Sequence, residues 1–140
     1  MKNLFLLFSF FFLISASVNA QADTTKEHKI VFQLQSSDTT AHKALMKQLN
    51  NILTNFPNAK IEVVCHGPGL NMLVTDKTIV ADKIEKLASK GVQFVACEFS
   101  MSERNVTKEM MLAQAGTVPY GIMEIVAKQE EGWSYIKAGF

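Results

Sequence analysis

The sequence lacks an excess of charge of either sign. Its 14 Lys and Arg side chains are balanced by 13 Asp and Glu, which gives a net charge of +1 at pH 7. No basic patch stands out along the chain, so nucleic acid is not an expected partner. The sequence also contains no phosphate-binding loop, no Ser-His-Asp order and no paired-carboxylate signature. The common classes of hydrolase and nucleotide-binding protein are therefore not indicated, and no cofactor is predicted.

An apolar run long enough to cross a bilayer is also missing. The longest one, residues 4–14, follows Lys2 and precedes the small residues Val18 and Ala20. A secretory signal peptide typically has a short basic start, a short apolar run and small residues just before its cleavage site. The sequence predicts a signal peptide over residues 1–20, a flexible leader over 21–27 and a periplasmic or secreted protein without stable membrane insertion after cleavage.

The remaining residues, 28–140, suit one compact domain, and 48% of the whole chain is hydrophobic. Apolar patterning alternates between strands and helices. Strands are predicted at 28–35, 61–64, 92–96, 116–119 (a short strand or extended link) and 133–138, and helices at 41–56, 76–91, from 107 onward and at 122–131. Because the early strands are continuous apolar runs, we expect an α/β fold with a mainly parallel sheet covered by helices on both faces.

Cysteine is scarce, with only two in the chain, and both follow predicted strands. Cys65 ends the second strand and Cys97 ends the third. Binding and catalytic groups collect at the carboxyl ends of strands in open parallel sheets, so both thiols are expected at one edge. If the two strands are neighbours, the thiols come within reach of a disulfide. Burial of each cysteine as a small apolar residue is the competing interpretation.

The segment after the second strand, "CHGPG", adds polar and flexible groups to this edge. His66 could carry a proton near neutral pH, and Gly67, Pro68 and Gly69 form a turn that allows close approach of a ligand to the backbone. A hydrogen-bonded loop histidine and an ordinary turn are the simpler interpretations. Cys65, His66, Cys97 and Glu98 match no standard zinc spacing, so no metal site is predicted.

Several stretches together resemble one known family. "VVCHGPGLNML", "GVQFVACEFSM", "VTKEMM" and "GIMEIVAKQEEGWSYIKAGF" are similar to the DsrE/DsrF-like sulfur-relay family, which includes the YchN-like proteins. The resemblance extends over residues 29–137. It implies a three-layer α/β/α sandwich around a mainly parallel five-stranded sheet, and assembly into oligomers, often trimers or hexamers. It also implies that Cys97 carries sulfur as a persulfide, with Met101 matching a family position beside the site.

Two functional hypotheses follow. The first is an exported thiol or sulfur carrier in which Cys97 receives sulfur, Cys65 is its resolving partner, His66 carries the proton and the turn from Gly67 to Gly69 shapes the pocket. A sulfur donor or acceptor protein would then be its partner, and catalytic turnover is not specifically predicted. The alternative is a non-catalytic oligomer that binds a small ligand or a protein, with a structural disulfide or none.

Overall fold

A computed structural model describes residues 25–139 of the chain. The predicted signal peptide and most of the predicted leader lie outside these residues. The strands are β1 (Lys29–Leu34), β2 (Lys60–Cys65), β3 (Gln93–Cys97), β4 (Ala115–Val118) and β5 (Ser134–Ala138). The α-helices are α1 (Thr39–Asn55), α2 (Ala81–Ala88), α3 (Glu98–Glu103) and α4 (Gly121–Glu130), and 3-10 helices span Gly67–Met72 and Lys108–Met110.

The five strands form one sheet in the order β4-β3-β2-β1-β5, and every neighbouring pair is parallel. The predicted α/β fold with helices flanking a five-stranded sheet is confirmed. The sheet is wholly parallel, where the sequence predicted a mainly parallel one. All five carboxyl ends therefore lie at the same edge of the sheet, which is the edge at which parallel α/β proteins place their sites.

Side chains that alternate along the strands form two separate cores. The larger core packs the sheet against α1 and α2, and it includes Phe32, Val63, Phe94, Leu45 and Ile84. The smaller core lies on the other face, under α4, and its buried members are Val31, Val64 and Ile125. Successive residues of a strand point to opposite faces, so the register of the strands decides which core each side chain joins.

Local signals explain where α1 begins and ends. A carboxylate oxygen of Asp38 accepts a hydrogen bond of 2.8 Å from the Thr40 backbone N–H, which caps the first turn. The helix stops at Asn55, two residues before Pro57, whose ring would clash with a continuing helix. The predicted helix over 41–56 is thus confirmed, with its start two residues earlier.

Two helices differ from the sequence prediction. The second was expected from about residue 76, but α2 begins only at Ala81. Val74 instead forms an antiparallel bridge to Met111, and its carbonyl accepts from the N–H groups of Lys77 and Thr78, which makes the following residues a turn. The third was expected from Thr107, yet α3 starts immediately after Cys97 and only a 3-10 turn follows residue 107. No helix within residues 25–139 is long and apolar enough to cross a membrane.

Candidate functional site

Cys97 ends β3 and directly precedes α3, at the carboxyl edge of the sheet. It is 5% exposed and lies at a cavity of about 370 Å³. The cavity is built from the segments that follow β1, β2, β3 and β4, and it is lined by Gln35, His66, Gly67, Cys97, Phe99, Ser100, Glu103, Tyr120, Gly121, Ile122 and Met123. The thiol is thus enclosed by protein on most sides and open to a space large enough for a small molecule or a peptide side chain.

Hydrogen-bond donors surround the Cys97 sulfur. Burial by itself raises the pKa of this thiol, but the Gly121 backbone N–H, the Ser100 hydroxyl and the Ser100 backbone N–H stabilise the thiolate. The donors outweigh burial, so the pKa of Cys97 is lowered from its ordinary value. A larger fraction of Cys97 is therefore thiolate at neutral pH than of an unperturbed cysteine, and the thiolate is the nucleophilic form.

The Ser100 hydroxyl is oriented by a backbone group. Its oxygen accepts a hydrogen bond of 3.0 Å from the N–H of Gly67. With the oxygen engaged in this way, the hydroxyl hydrogen is available to the Cys97 sulfur, and this group is, after the Gly121 backbone N–H, the next largest cause of the lowered thiol pKa. The turn after β2 thus acts on the thiol at the end of β3 through one serine side chain.

The first residue of α4 must be small because the helix begins directly over the thiol. A Cβ placed on Gly121 would lie 3.1 Å from the Cys97 Cβ, 3.2 Å from Val64 Cγ1 and 3.3 Å from the His66 Cβ. All three distances are tighter than ordinary carbon contacts, so a side chain here would push α4 away from the sheet. Glycine at position 121 lets the backbone N–H approach the sulfur.

A buried ion pair connects α4 to the sheet. Lys128 Nζ lies 3.0 Å from a carboxylate oxygen of Glu62 on β2 and 3.5 Å from one of Glu124, and it sits 4.7 Å from the centre of the Trp133 ring. Burial raises the pKa of the Glu62 carboxyl, and Lys128 opposes that rise. Because removing one member of a buried pair leaves the other charge uncompensated, this contact fixes where α4 sits on the sheet.

Hydrogen bonds between side chains connect His66 to β5, the strand at one edge of the sheet. The Tyr135 hydroxyl donates to Oε1 of Gln33, and Nε2 of Gln33 lies 2.8 Å from Nε2 of His66. Since an amide nitrogen only donates, His66 Nε2 is the acceptor and Nδ1 carries the proton. Burial also lowers the pKa of His66, which favours this neutral ring. The histidine therefore has an N–H to offer and no free lone pair, so accepting a proton would require loss of the Gln33 bond.

Cys65 does not join Cys97. The two strands are neighbours, as predicted, but Cys65 pairs in register with Ala96, so Cys97 is one residue further along and faces the other way. Cys65 is 0% exposed in the core under α1 and α2, both cysteines are free, and burial strongly raises the pKa of the Cys65 thiol. The expected meeting of the two thiols at one edge is therefore not found, and with it the geometric basis for a disulfide is lost.

Comparison with protein families matches residues 9–138 to the DsrE/DsrF-like family. The chain belongs to this family. The match spans nearly the whole sequence, including the strand that ends at Cys97 and the residues that enclose its cavity. The resemblance noted in the sequence is confirmed at the level of family membership.

Two solved structures of proteins of unknown function are similar in fold to this DsrE/DsrF-like chain. MTH1491 from Methanobacterium thermoautotrophicum is 27% identical, with a TM-score of 0.76 over 79% of this chain and 99% of that one. BT1422 from Bacteroides thetaiotaomicron is 13% identical, with a TM-score of 0.64 over 78% of this chain and 93% of that one, and this likeness concerns the fold alone. Comparison with curated proteins gives no match.

The other predicted site residues of this DsrE/DsrF-like chain are divided between the cavity and the core. His66 and Gly67 line the cavity, whereas Pro68 lines a separate depression with Gln35 and Lys137. Gly69 is buried, and a Cβ there would collide with the Leu34 carbonyl, so its role is to let two backbones approach.

Met101 belongs to the larger core and does not line the cavity. Of Cys65, His66, Cys97 and Glu98, only His66 and Cys97 line the cavity, and in residues 25–139 no group of three His, Cys, Asp or Glu side chains is placed to hold a metal ion. Glu98 instead accepts from the Thr117 hydroxyl at 2.6 Å.

Sequence reasoning missed Ser100, Gly121, Gln33 and Tyr135. Gly121 could have been found, because it follows the fourth predicted strand and the carboxyl-end rule applies to every strand of the sheet. Ser100 was missed because the helix after Cys97 was predicted to start too late; a helix that starts at residue 98 brings position 100 back to its N-cap. Gln33 and Tyr135 depend on strand register and on which face a side chain occupies, and neither is set by local sequence.

Replacing Ser100 by Ala should raise the pKa of Cys97, because the thiolate loses a hydroxyl donor. In a Cys65→Ser background, the rate at which iodoacetamide alkylates Cys97 can be measured against pH. The pH profile of this rate should shift to higher pH in the Ser100→Ala variant. The rate at neutral pH should fall about tenfold, as expected for loss of a hydrogen bond to a charged group. Ser102→Ala, an exposed change on the same helix, is the matched control and should leave the profile unchanged. Identical profiles for the Ser100 and Ser102 variants would contradict the role assigned to the hydroxyl.

Proposed function

We propose that this protein is a sulfur carrier in which Cys97 holds transferable sulfur as a persulfide. The observation that carries the proposal is the environment of the thiol: Cys97 is 5% exposed at the wall of an open cavity, and Gly121 and Ser100 beside it lower the pKa of the thiol. Such donors favour the thiolate, which is the form that attacks a sulfur donor, and the same donors can stabilise negative charge on a bound persulfide. Membership of the DsrE/DsrF-like family is consistent with a sulfur relay.

The transfer step requires no external oxidant. The Cys97 thiolate attacks the outer sulfur of a donor persulfide, a new S–S bond forms at Cys97, and the S–S bond of the donor breaks. The bonding electron pair leaves with the inner sulfur of the donor, which departs as a thiolate, and the proton of the outer sulfur stays with it or passes to solvent. Delivery to an acceptor thiol is the same exchange, with Cys97 as the leaving thiolate.

Within this proposal His66 is a hydrogen-bond donor rather than a general base. Its Nε2 is occupied by Gln33, and burial lowers its pKa, so the neutral ring presents Nδ1–H. We infer that this N–H stabilises negative charge on the bound sulfur. Cys65 has no part in the transfer, because it lies in the other core, so release of sulfur depends on a thiol from a partner protein or a small molecule.

Mass spectrometry of the intact protein tests the carrier role directly. After incubation with glutathione persulfide and removal of the reagent, the protein should gain the mass of one sulfur atom, and treatment with cyanide should release that sulfur as thiocyanate. Cys65→Ser should load as the wild type does, whereas Cys97→Ser should not load. Loading that persists in Cys97→Ser, or no loading of the wild type, would refute the proposal.

We also propose that copies of this chain cover the mouth of the cavity. Four large apolar side chains around it are more than half exposed: Phe99 55%, Tyr120 59%, Ile122 53% and Met123 59%. The rings of Phe99 and Tyr120 lie 6.1 Å apart, so the patch is continuous across the end of β3 and the start of α4. Contiguous exposed apolar surface of this kind favours a protein interface. The family resemblance favours self-assembly into trimers or hexamers as its occupant.

Light scattering after size exclusion tests this assembly with a matched pair of variants. The wild type should be larger than a monomer, and Ile122→Glu should increase its dissociation constant at least tenfold, because the interface would bury an unpaired charge. Ile79→Glu is the control, since Ile79 is 51% exposed in the turn before α2 and does not line the cavity. A monomeric wild type, or equal effects of both substitutions, would contradict self-assembly and leave a different protein partner as the occupant of the patch.

We further propose that the chain is exported and cut after Ala20, because residues 1–20 have the basic start, apolar run and small residues of a signal peptide. The protein isolated from the native cell should begin at Gln21 and be found in the periplasmic or extracellular fraction. N-terminal sequencing together with cell fractionation measures both. A chain recovered from the cytoplasm with residues 2–20 intact would refute export.

A further inference from the structure

A second cavity lies on the side of the molecule opposite to Cys97, between α1 and α2. We call it the lysine groove. It has a volume of about 390 Å³ and is lined by Lys43, Met46, Lys47, Asn50, Lys83, Lys86 and Leu87. This volume lies within the range of cavities that bind small ligands. The sequence motifs on which the family resemblance was noted contain none of these residues, and the proposed sulfur transfer does not use them.

The charge of the groove is uncompensated. Lys43 and Lys47 lie one turn apart on α1, and Lys83 and Lys86 lie one turn apart on α2, with all four side chains exposed. In the described part of the chain, none of the four ammonium groups has a carboxylate within 4.0 Å. Like charges one turn apart destabilise a helix, so Lys43 and Lys47 on α1, which has no acidic residue to offset them, have a cost that a bound anion would relieve.

The distribution of acidic residues preserves this positive field. The α1 sequence, TTAHKALMKQLNNILTN, contains no Asp or Glu at all. The acids of α2, Asp82 and Glu85, do not line the groove. Lys90, just after α2, points its ammonium group towards α1 and donates to Asn50 Oδ1 at 3.4 Å, which adds a fifth positive charge at the end of the groove. The chain as a whole is nearly neutral, so the groove is a local concentration of charge.

The interior of the groove is apolar. Met46 and Leu87, 1% and 3% exposed, are the buried part of its lining, and lysine side chains can cover apolar surface with their methylene groups while the ammonium groups stay in water. A bare inorganic ion would use the rim and leave this interior in water. An anion with a short apolar chain would satisfy both parts, because the chain gains free energy from burial while the head group meets the ammonium groups.

We propose that the lysine groove binds a small anionic amphiphile, a carboxylate or phosphate group carrying a short apolar chain. Calorimetric titration with octyl phosphate below its micelle concentration should give saturable binding of one molecule per chain. Octyl phosphate should bind at least tenfold more tightly than inorganic phosphate, because only the former buries apolar surface. Octanoate as a second probe distinguishes a carboxylate head from a phosphate head, and saturable binding of either supports the proposal.

The double variant Lys47→Gln/Lys83→Gln tests the position of the site. It removes one charge from each wall and should weaken octyl phosphate binding roughly tenfold, as expected for the loss of two surface ion pairs. Lys29→Gln/Lys77→Gln removes the same total charge outside the groove and should change the affinity by less than about twofold. Equal weakening in both double variants would overturn the proposal, since binding would then follow net charge alone.

Three other results would also overturn it. These are no saturable binding of either probe, equal affinity for octyl and inorganic phosphate, or association only with phosphatidylglycerol vesicles, which would indicate a membrane surface instead of a small ligand. Sulfur loading of Cys97 should be the same in both double variants, because the groove lies across the sheet from the thiol. Failure of the amphiphile proposal is therefore distinguishable from failure of the sulfur-carrier proposal.

Discussion

Alternation of side chains across the parallel sheet is the constraint on which the chemistry of this protein depends. The strands β2 and β3 are paired so that Cys65 is level with Ala96, and both residues face the core under α1 and α2. The next residue, Cys97, must then face α4. One residue of register thus separates an inert thiol, held in apolar surroundings, from a thiol whose pKa is lowered by nearby donors. A slip of β3 by one position would instead place Cys97 level with Cys65, on the same face of the sheet.

The reactive environment also depends on how α4 is held. This helix is the crossing element between β4, at one edge of the sheet, and β5, at the other. Its Lys128 is fixed to Glu62 by a buried ion pair, and its first residue, Gly121, brings a backbone N–H to the Cys97 sulfur. The thiol is therefore tuned by both local and tertiary structure: the serine follows the cysteine by three residues on α3, whereas the glycine comes from a distant segment that reaches them only after the sheet has formed.

Much of the architecture could be predicted from the sequence, because strand and helix patterns are local. The strand ending at Cys97 and the helix ending before Pro57 are read from neighbouring residues. The separation of Cys65 from Cys97 could not be predicted, because it depends on strand register and on which face each side chain occupies. The lysine groove was missed for a related reason. Lys43 and Lys83 are far apart in sequence, and the near-neutral composition conceals a charged surface that forms only when α1 packs beside α2.

The complete enclosure of Cys65 has a consequence for how the folded state opens. No path leads from solvent to this sulfur unless the larger core separates, since the residue is 0% exposed and surrounded by the central strands and their helices. Its modification by a thiol reagent would require a breathing motion that parts these layers. The modification rate of Cys65 would therefore report how often the larger core opens. Cys65 lies on the opposite face of the sheet from Cys97, the thiol proposed to react without such opening.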